Sequence, residues 1–387
     1  MTWRWLFSRT LRQANDLCHR VEKILNSQRD VLAPQAITAV RSSIQDLRSA
    51  AGQADASALE SRATDLESVA NKWLKPYPYA NVRENVDVIL VALVIALGIR
   101  TFFLQPMAIP TGSMQPTLYG ITQQNLREDP HARVPNGPTR VFNALARGIW
   151  YYHVTAIDDG DFKRFEPPER VLRFFKRQQF VVGDHTYTVW FPPDEFERRS
   201  QLLPGQRFRK GQDILNLKVM SGDRLFVDRF SYNFRRPSRG DIVIFASHGL
   251  PDLTPDTHYI KRLIGLPGER VRILNNRHVA INDHELDAST PHFENIYTFS
   301  GPPREDHYSG HLNSFVAQQF GRPMATALFP DETAVYTVPP HQYFVCGDNT
   351  MNSYDSRYWG SFPDDRVVGR FSFCFWPISA RFGWAVR

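Results

Sequence analysis

In this 387-residue chain, the serine best suited to chemistry lies in residues 109–118, IPTGSMQPTL, a short turn directly after an apolar run. A serine hydroxyl is a poor nucleophile unless a neighbouring base takes its proton. Ser113 is therefore either an ordinary loop serine or a nucleophile. A lysine can be that base only when neutral, and its ordinary pKa is about 10.4. Burial lowers that pKa by up to about 3–5 units, and Lys261 follows Tyr259 and Ile260 in a strand-like run.

Two further segments carry polar residues suited to a site. They are GDRLFVDRFSYNFRRPSRGDIVIF at 222–245 and CGDNTMNSYDSRYWG at 346–360. Each segment alone is weak evidence, because a Ser-Met turn is usually only a turn and a strand lysine usually points to solvent. The second polar segment, taken alone, is a turn rich in Asx caps. The order of all these segments behind one apolar run is the informative feature.

Five stretches of the chain resemble the successive sequence boxes of type I signal peptidases, the membrane-anchored serine proteases with a Ser/Lys dyad. They are PTGSMQPTL, GDRLFVDRFSY, RGDIVIF, YIKRLIGLPGE and GDN…NSYDSRYWG. The similarity covers about 88–120 and 221–376, so the first 85 residues and an insertion at 121–218 fall outside it. It implies a mainly β catalytic domain of coiled β-sheets, no cofactor and no metal. It also implies that the protein removes signal peptides from exported preproteins, cleaving after small residues of the Ala-x-Ala type.

The resemblance implies a role for each matching residue. Ser113 corresponds to the nucleophile and Lys261 to the general base. The backbone N–H of Ser113 and the hydroxyl of Thr111 correspond to the oxyanion hole, although many relatives have serine in place of Thr111. Ser353 stands where a serine orients the lysine. Three polar residues match those that brace the family's site: Asp348, Asp355 and Arg357.

Substrate contacts are implied for the extended stretches on either side of the site. In the family, shallow apolar pockets accept small residues at P1 and P3, and the peptide could add there as a strand. The residues expected to line such pockets are Met107, Ile109, Met114, Tyr259 and Ile260. For each of them singly, core packing is the competing interpretation. Thr350 departs from the arginine often found at its position, so one outer contact of the bracing set is expected to be missing.

The apolar run VILVALVIALGI, residues 88–99, is short enough to be a core helix by length alone. Within 86–104, however, the only charged residues are Asp87 and Arg100, both near an end, and no polar face remains to meet water. The sequence therefore predicts a transmembrane signal-anchor helix at 86–104. The preceding flank is net positive, so the positive-inside rule places the N-terminus in the cytoplasm. The expectation is a single-pass protein of the inner (plasma) membrane with an extracytoplasmic catalytic domain.

The patterns of apolar and turn residues divide the rest of the chain into a helical region, a catalytic domain and an inserted subdomain. Residues 1–80 predict a cytoplasmic helical region with the look of a small hairpin, because apolar residues recur there at helical spacing. After the span, strand-like runs without βαβ alternation argue against a doubly wound sheet. They predict a catalytic domain made of 105–120 and 219–387. Residues 121–218 predict an inserted β-rich subdomain of unknown role, with a hairpin around Gly183-Asp184, and about 283–338 predicts an irregular stretch.

The composition limits the partners. Hydrophobic residues make up 42% and charged residues 22% of the chain, which is typical of a folded protein. The net charge of +6 is spread without a basic stripe, so nucleic acid is not an expected partner. The expected partners are signal peptides and membrane lipid, together with a contact to the secretion machinery. The histidines, among them His153, His258, His307 and His311, are interpreted as surface residues.

Three alternatives stay open on sequence alone. A Ser/Lys pair also occurs in self-cleaving regulators of the repressor type, although the anchor and the box after Cys346 argue against that class. A non-catalytic relative could retain only the peptide groove. The three cysteines are Cys18, Cys346 and Cys374, and a bridge between the last two is an open question.

Overall fold

The computed structural model describes residues 9–53, 56–75, 79–127, 129, 131, 133–172, 175–250, 252–321 and 326–385. The chain folds as two compact units, Met1–Ile95 and Ala96–Arg387. The described helices are α1 (Arg9–Gln28), α2 (Pro34–Gln53), α3 (Ala56–Trp73), α4 (Ala80–Gly98), α5 (Gly137–Arg147), α6 (Phe196–Ser200), α7 (Ser314–Gln319) and α8 (Ser356–Trp359). The strands are β1 (Leu104–Ala108), β2 (Thr122–Asn125), β3 (Ile149–Thr155), β4 (Gly160–Phe165), β5 (Glu169–Val171), β6 (Phe175–Val182), β7 (His185–Trp190), β8 (Arg207–Phe208), β9 (Asp213–Met220), β10 (Arg224–Asp228), β11 (Ile242–Ala246), β12 (His258–Gly265), β13 (Arg270–Ile273), β14 (Val279–Ile281), β15 (His284–Glu285), β16 (Tyr336–Thr337), β17 (Gln342–Cys346), β18 (Phe362–Pro363), β19 (Val367–Trp376) and β20 (Gly383–Trp384).

The first three helices share one core. Helix α1 buries a stripe at the spacing of one helix face: Ala14, Cys18, Val21 and Leu25. These residues pack with Val40 and Leu47 of α2 and with Leu66 of α3. The predicted hairpin is therefore wrong in the number of helices, because α3 supplies a third apolar face to the same core.

Helix α4 continues through a π-helical turn, Ile99–Phe103, before β1 begins. Its segment Asn85–Phe103 is 19 residues long, has a mean hydropathy of 2.3 and is not buried within the protein. A bilayer core of about 30 Å needs about 20 apolar residues in a helix. By length and composition, this segment is a candidate membrane span, close to the predicted 86–104.

The main sheet has the strand order β1-β10-β19-β11-β12-β17-β18, with β20 added to β19. It is antiparallel at every pairing and curled. Strand β11 is apolar throughout, IVIFA, which suits its central position with both faces covered. The prediction of a mainly β fold behind an N-terminal helical region is confirmed.

A smaller sheet, β15-β14-β13-β16, packs beside the main one. Its core includes Val271 and Val279 together with residues from the stretch predicted as irregular, such as Phe293 and Phe329. Within the described part of 283–338, the regular elements are two short strands and α7. The stretch is thus irregular in backbone but contributes apolar side chains to a core.

The inserted segment is folded around its own apolar core, which includes Phe162, Phe180 and Phe208. It contains a three-stranded sheet, β2-β9-β3, and a five-stranded sheet in which β6 pairs with β4, β5 and β7. Strands β6 and β7 pair from Val182 with His185, so only Gly183 and Asp184 form the turn. This is the hairpin that the sequence predicts.

Candidate active site

The turn that carries Ser113 follows directly on strand β1. A side chain at Gly120 would collide with the Thr111 backbone, so this glycine is required for the turn to close on itself. The Asn349 backbone N–H donates to the Ser113 carbonyl at 3.0 Å, and the Asn349 amide donates to the Gly112 carbonyl at 3.1 Å. These contacts fix the turn against the loop that follows β17. Ser113 is only 7% exposed.

Lys261 lies on strand β12, paired with Val243 of β11, and is only 3% exposed. Burial lowers its pKa to about 8, because the charged ammonium loses its hydration. The Asp355 carboxylate opposes this effect, and the Arg357 guanidinium reinforces it. The neutral form that a proton acceptor requires is therefore far more populated near neutral pH than in an ordinary lysine.

A groove of about 830 Å³ brings the predicted catalytic residues together. Four of them line it: Thr111, Ser113, Lys261 and Ser353. No hydrogen bond joins the Ser113 hydroxyl to the Lys261 ammonium among the described residues. Such bonds are often long without substrate and shorten when it binds. The arrangement therefore resembles a resting nucleophile and base that face one groove.

Ser353 has an unused hydroxyl. Its Oγ is buried and has no hydrogen-bond partner among the described residues. A side chain at Gly347 would collide with this Oγ and with the Ser113 carbonyl, so Gly347 lies directly between the two serines. An unpaired buried hydroxyl costs free energy, which is typical of a group kept for function rather than for stability.

Asp355 and Arg357 form a fully buried ion pair beside the groove. The Arg357 Nε donates to Asp355 Oδ1 at 2.8 Å, and Nη2 donates to Oδ2 at 3.0 Å. The Gly347 N–H also donates to Asp355 at 2.9 Å. Thr350 contacts this pair: its hydroxyl accepts from Arg357 Nη1 at 2.6 Å and its carbonyl accepts from Nη2. That the outer contact of an arginine is missing at this position stays a prediction.

Asp348 is braced by a residue that sequence reasoning missed. The Arg262 guanidinium donates to both Asp348 oxygens, at 2.8 and 2.7 Å, and both side chains are buried. The Thr117 hydroxyl donates to the same carboxylate. Strand alternation could have indicated Arg262, because consecutive strand residues point to opposite faces. In the structure, Lys261 and Arg262 are both buried. As neighbours on one strand, they lie on its two opposite faces.

Four of the five predicted pocket residues line the groove: Met107, Ile109, Tyr259 and Ile260. The structure does not place Met114 there. Its side chain is fully buried in the core with Leu118 and Leu225, so it packs beneath the turn. Leu225 and Ile244 also line the groove and were missed, because residues of a strand interior are read from sequence as plain core.

Both walls of the groove have an unpaired backbone edge. Strand β1 pairs only with β10 among the described strands. Residues 258–261 of β12 pair with β11 on one side, and the pairing with β17 on the other side begins only at Arg262. The N–H of Ser113 donates to none of the described residues, and Thr111 is exposed. These free groups can bind an extended peptide and a developing oxyanion.

The interpretation of the histidines as surface residues is wrong for His311. His153, His258 and His307 are exposed, but His311 is fully buried and bonds Tyr297 through Nδ1 at 3.1 Å. Burial lowers the pKa of His311 to about 4, so it is neutral at physiological pH. The described cysteines Cys18, Cys346 and Cys374 are free and buried, so Cys346 and Cys374 form no bridge.

A serine hydroxyl, a lysine of lowered pKa and free oxyanion donors on one groove are the parts of a serine hydrolase. The sequence profile of the family described as "Signal peptidase, peptidase S26" matches residues 82–185 and 215–376. The chain belongs to this family. The matched range includes 121–185, so most of the insertion expected to fall outside the similarity is covered by the profile.

Individual relatives carry the same name. The chain is 35% identical to "Signal peptidase I" of Leptolyngbya laminosa over 41% of its length, and 36% identical to "Probable signal peptidase I-2" of Synechocystis sp. over 40%. These matches span 62% and 56% of the two relatives. "Signal peptidase I" of Pseudomonas aeruginosa is 30% identical over 54% of this chain and 78% of that protein.

Proposed function

We propose that this chain is a membrane-bound serine endopeptidase that removes signal peptides from exported preproteins, with Ser113 as nucleophile and Lys261 as general base. The observation that carries the proposal is the buried Lys261, whose pKa is lowered to about 8 on the same groove as Ser113. Membership of the signal peptidase family supports the substrate class.

The mechanism uses one proton acceptor twice. Neutral Lys261 takes the Ser113 proton as Oγ attacks the scissile carbonyl, and the negative oxygen accepts from the Ser113 N–H and the Thr111 hydroxyl. The resulting ammonium gives its proton to the leaving amine. Lys261 then takes a proton from the water that attacks the acyl-enzyme, and it passes this proton to Ser113 Oγ as the bond between Oγ and the acyl carbon breaks. Only the neutral lysine starts the cycle, so kcat/KM is expected to rise with pH through about 8.

The substrate is proposed to lie as an added strand between β1 and residues 258–261. The two free backbone edges support this mode of binding, since each offers unpaired donors and acceptors. The apolar lining from Met107, Ile109 and Ile260 suits small apolar side chains. Cleavage after an Ala-x-Ala sequence is therefore the proposed specificity.

The proposed location is the inner membrane, in a single-pass topology with a cytoplasmic N-terminus. The candidate span Asn85–Phe103 and the net positive flank before it support this orientation. Residues 1–80 would then be cytoplasmic, and 105–120 with 219–387 would form the extracytoplasmic catalytic domain, interrupted by 121–218. Lipid and the secretion machinery are the proposed partners besides the signal peptide.

The test uses purified full-length protein and one exported preprotein with a mapped cleavage site. Ser113→Ala and Lys261→Ala should each abolish cleavage after the Ala-x-Ala site. The matched controls are Ser289→Ala and Lys163→Ala, two exposed residues outside the groove, which should retain full activity. Full activity of Lys261→Ala would contradict the dyad.

The same protein and substrate also distinguish a signal peptidase from the two alternative classes, a self-cleaving regulator and a non-catalytic peptide-binding relative. Self-cleavage of this chain without cleavage of an added preprotein would indicate a self-cleaving regulator. Failure of a serine-reactive lactam probe to label Ser113, with retained binding of the signal peptide, would indicate a non-catalytic peptide-binding relative.

A further inference from the structure

Helix α5 of the inserted segment presents its apolar side chains to solvent. The exposed residues follow the spacing of one helix face: Pro138, Val141, Phe142 and Leu145. The polar Asn143 is buried instead. A helix that packs only against its own domain buries its apolar stripe and exposes its polar face. The exposed face of α5 therefore suits a surface outside the chain.

The C-terminal end of α5 is attached to the main sheet. The Trp376 indole N–H donates to the Leu145 carbonyl at 2.7 Å, and the Ile378 N–H donates to the Ala146 carbonyl at 2.8 Å. Gly148 ends the helix in the left-handed region, where a side chain would also press against Trp376. The apolar face of α5 thus has a fixed position next to the end of β19.

The C-terminal segment that is hydrogen-bonded to α5 also exposes apolar side chains. The Phe382 and Trp384 rings meet Phe373 of β19 edge-on, with centroids 5.4 and 5.0 Å apart. Both rings, like the Ile378 side chain, remain exposed. The combined surface, here called the α5 patch, consists of Val141, Phe142, Leu145, Ile378, Phe382 and Trp384.

The charged side chains on the two segments that form the α5 patch are all basic. Residues 137–147 and 376–385 contain no acidic side chain. Arg381 is paired with Asp223, whereas Arg140 and Arg147 are exposed on α5 itself. An apolar helix face with arginines at its margin is typical of helices that lie in anionic lipid surfaces.

An apolar row of paired residues links the α5 patch to the candidate span. Across four neighbouring strands, Pro106 pairs with Phe226, Phe226 with Phe373, and Phe373 with Trp384. Strand β1 begins at Leu104, directly after the span segment ends, and its five residues extend roughly 17 Å. The end of the span segment at Phe103 therefore lies within about one strand length of this row.

We propose that α5 is an interfacial membrane helix that lays the α5 patch on the anionic lipid surface beside the span. The occupant of the patch is the bilayer itself, because the patch is apolar, has a basic margin and joins the sheet edge that leads to the span. The proposal rests on the proposed membrane anchor and is independent of the proposed peptidase activity. It gives the inserted segment a role in holding the extracytoplasmic domain against lipid.

The test compares two leucines of equal exposure in the inserted segment. Leu145 is 71% exposed within the α5 patch, and Leu203 is 69% exposed outside it, in the turn before β8. Leu145→Cys and Leu203→Cys are each labelled with an environment-sensitive fluorophore in full-length protein. The native cysteines are buried, so the label reports the introduced one. The protein is reconstituted in vesicles of phosphatidylethanolamine and phosphatidylglycerol.

The label at position 145 should emit at shorter wavelength and be quenched by nitroxide-bearing lipid, while the label at 203 emits as in water. The difference should shrink in phosphatidylcholine vesicles, because the arginines lose their anionic partners. Equal, unquenched emission at both positions would overturn the proposal. Shielding at 145 without lipid quenching would also overturn it, and would indicate a protein partner or a second copy.

Discussion

At the scale of single residues, Lys261 connects the chemistry of the site to the stability of the fold. Its folded pKa of about 8 lies below its ordinary value of 10.5, because burial disfavours the ammonium. The folded protein therefore binds fewer protons than the unfolded chain between pH 8 and 10.5. The contribution of Lys261 to the free energy of unfolding therefore rises with pH between pH 8 and 10.5, and it is least favourable below pH 8. Burying Lys261 thus lowers the stability of the folded protein below pH 8, and it also provides the base that the proposed reaction needs.

We expect Lys261→Met to raise the free energy of unfolding at pH 7 by up to about 3 kcal/mol, at about 1.36 kcal/mol per unit of pKa shift. The apolar side chain fills the same space without a charge, and cleavage activity should be lost. Urea unfolding at pH 7 and pH 10.5 measures the effect, which should disappear at the higher pH. A variant no more stable than the wild type at pH 7 would argue against a desolvated lysine.

Ser353 and Ser356 lie three residues apart and differ in partner. Ser353 Oγ has no hydrogen-bond partner in the described part of the chain, whereas Ser356 Oγ accepts from the Val345 N–H at 3.0 Å. We expect Ser353→Ala to lower kcat by about 10², the effect of a misaligned catalytic group, with KM unchanged. The variant should lose no stability, because it removes a buried hydroxyl that has no hydrogen bond to lose. The role of Ser353 would be to position Lys261.

Ser356→Ala is the matched control, because it leaves the Val345 N–H buried and unpaired. It should cost about 1–3 kcal/mol of stability and leave kcat unchanged. Steady-state kinetics and urea unfolding of both variants make the comparison. A Ser353→Ala variant that loses stability but keeps its kcat would assign Ser353 a structural role only.

At the scale of elements, the buried Arg262–Asp348 pair joins strand β12 to the loop after β17. Removing one partner of a buried pair leaves the other charge without compensation, at a cost of about 3–5 kcal/mol. We therefore expect Arg262→Met to destabilise the fold by that amount. Urea unfolding at neutral pH is the measurement.

Arg270→Met provides the comparison, because Arg270 pairs with Asp283 and both side chains are more than half exposed. An exposed pair of this kind contributes about 0–1 kcal/mol. If the two variants lose similar amounts of unfolding free energy, the Arg262–Asp348 pair does not stabilise the fold at the site more than an exposed ion pair would.

Also at this scale, the sequence predicted the helices and strands better than it predicted the long-range contacts between side chains. Alternating apolar residues and Gly-Asp turns located the strands, including the hairpin at Gly183 and Asp184. The contacts that position the site join distant segments, such as Thr117 and Asp348, which are 231 residues apart. A local sequence pattern does not show which side chains of a curled sheet are covered by distant parts of the chain. The burial of Arg262, His311 and Met114 therefore had to come from the structure.

At the scale of the whole molecule, the apolar cores divide the chain. Among the described residues, the buried core of α1, α2 and α3 runs from Ala14 to Leu74. The residues that line the groove all lie between Gln105 and Tyr358, within the second unit. The resemblance to signal peptidases gave the roles within the second unit but nothing about the first, because residues 1–80 match no box of that family.

We expect removal of residues 1–75 to leave cleavage of a short soluble peptide in detergent unchanged, because no groove residue and no part of the second unit's cores is removed. The same variant should insert into membranes with mixed orientation, because most of the positive charge before the span is lost. Peptide cleavage in detergent and protease protection in vesicles measure the two effects separately. Loss of cleavage in detergent would contradict the independence of the groove. Uniform orientation in vesicles would show that the remaining Arg83, rather than the helical region, is enough to orient the span.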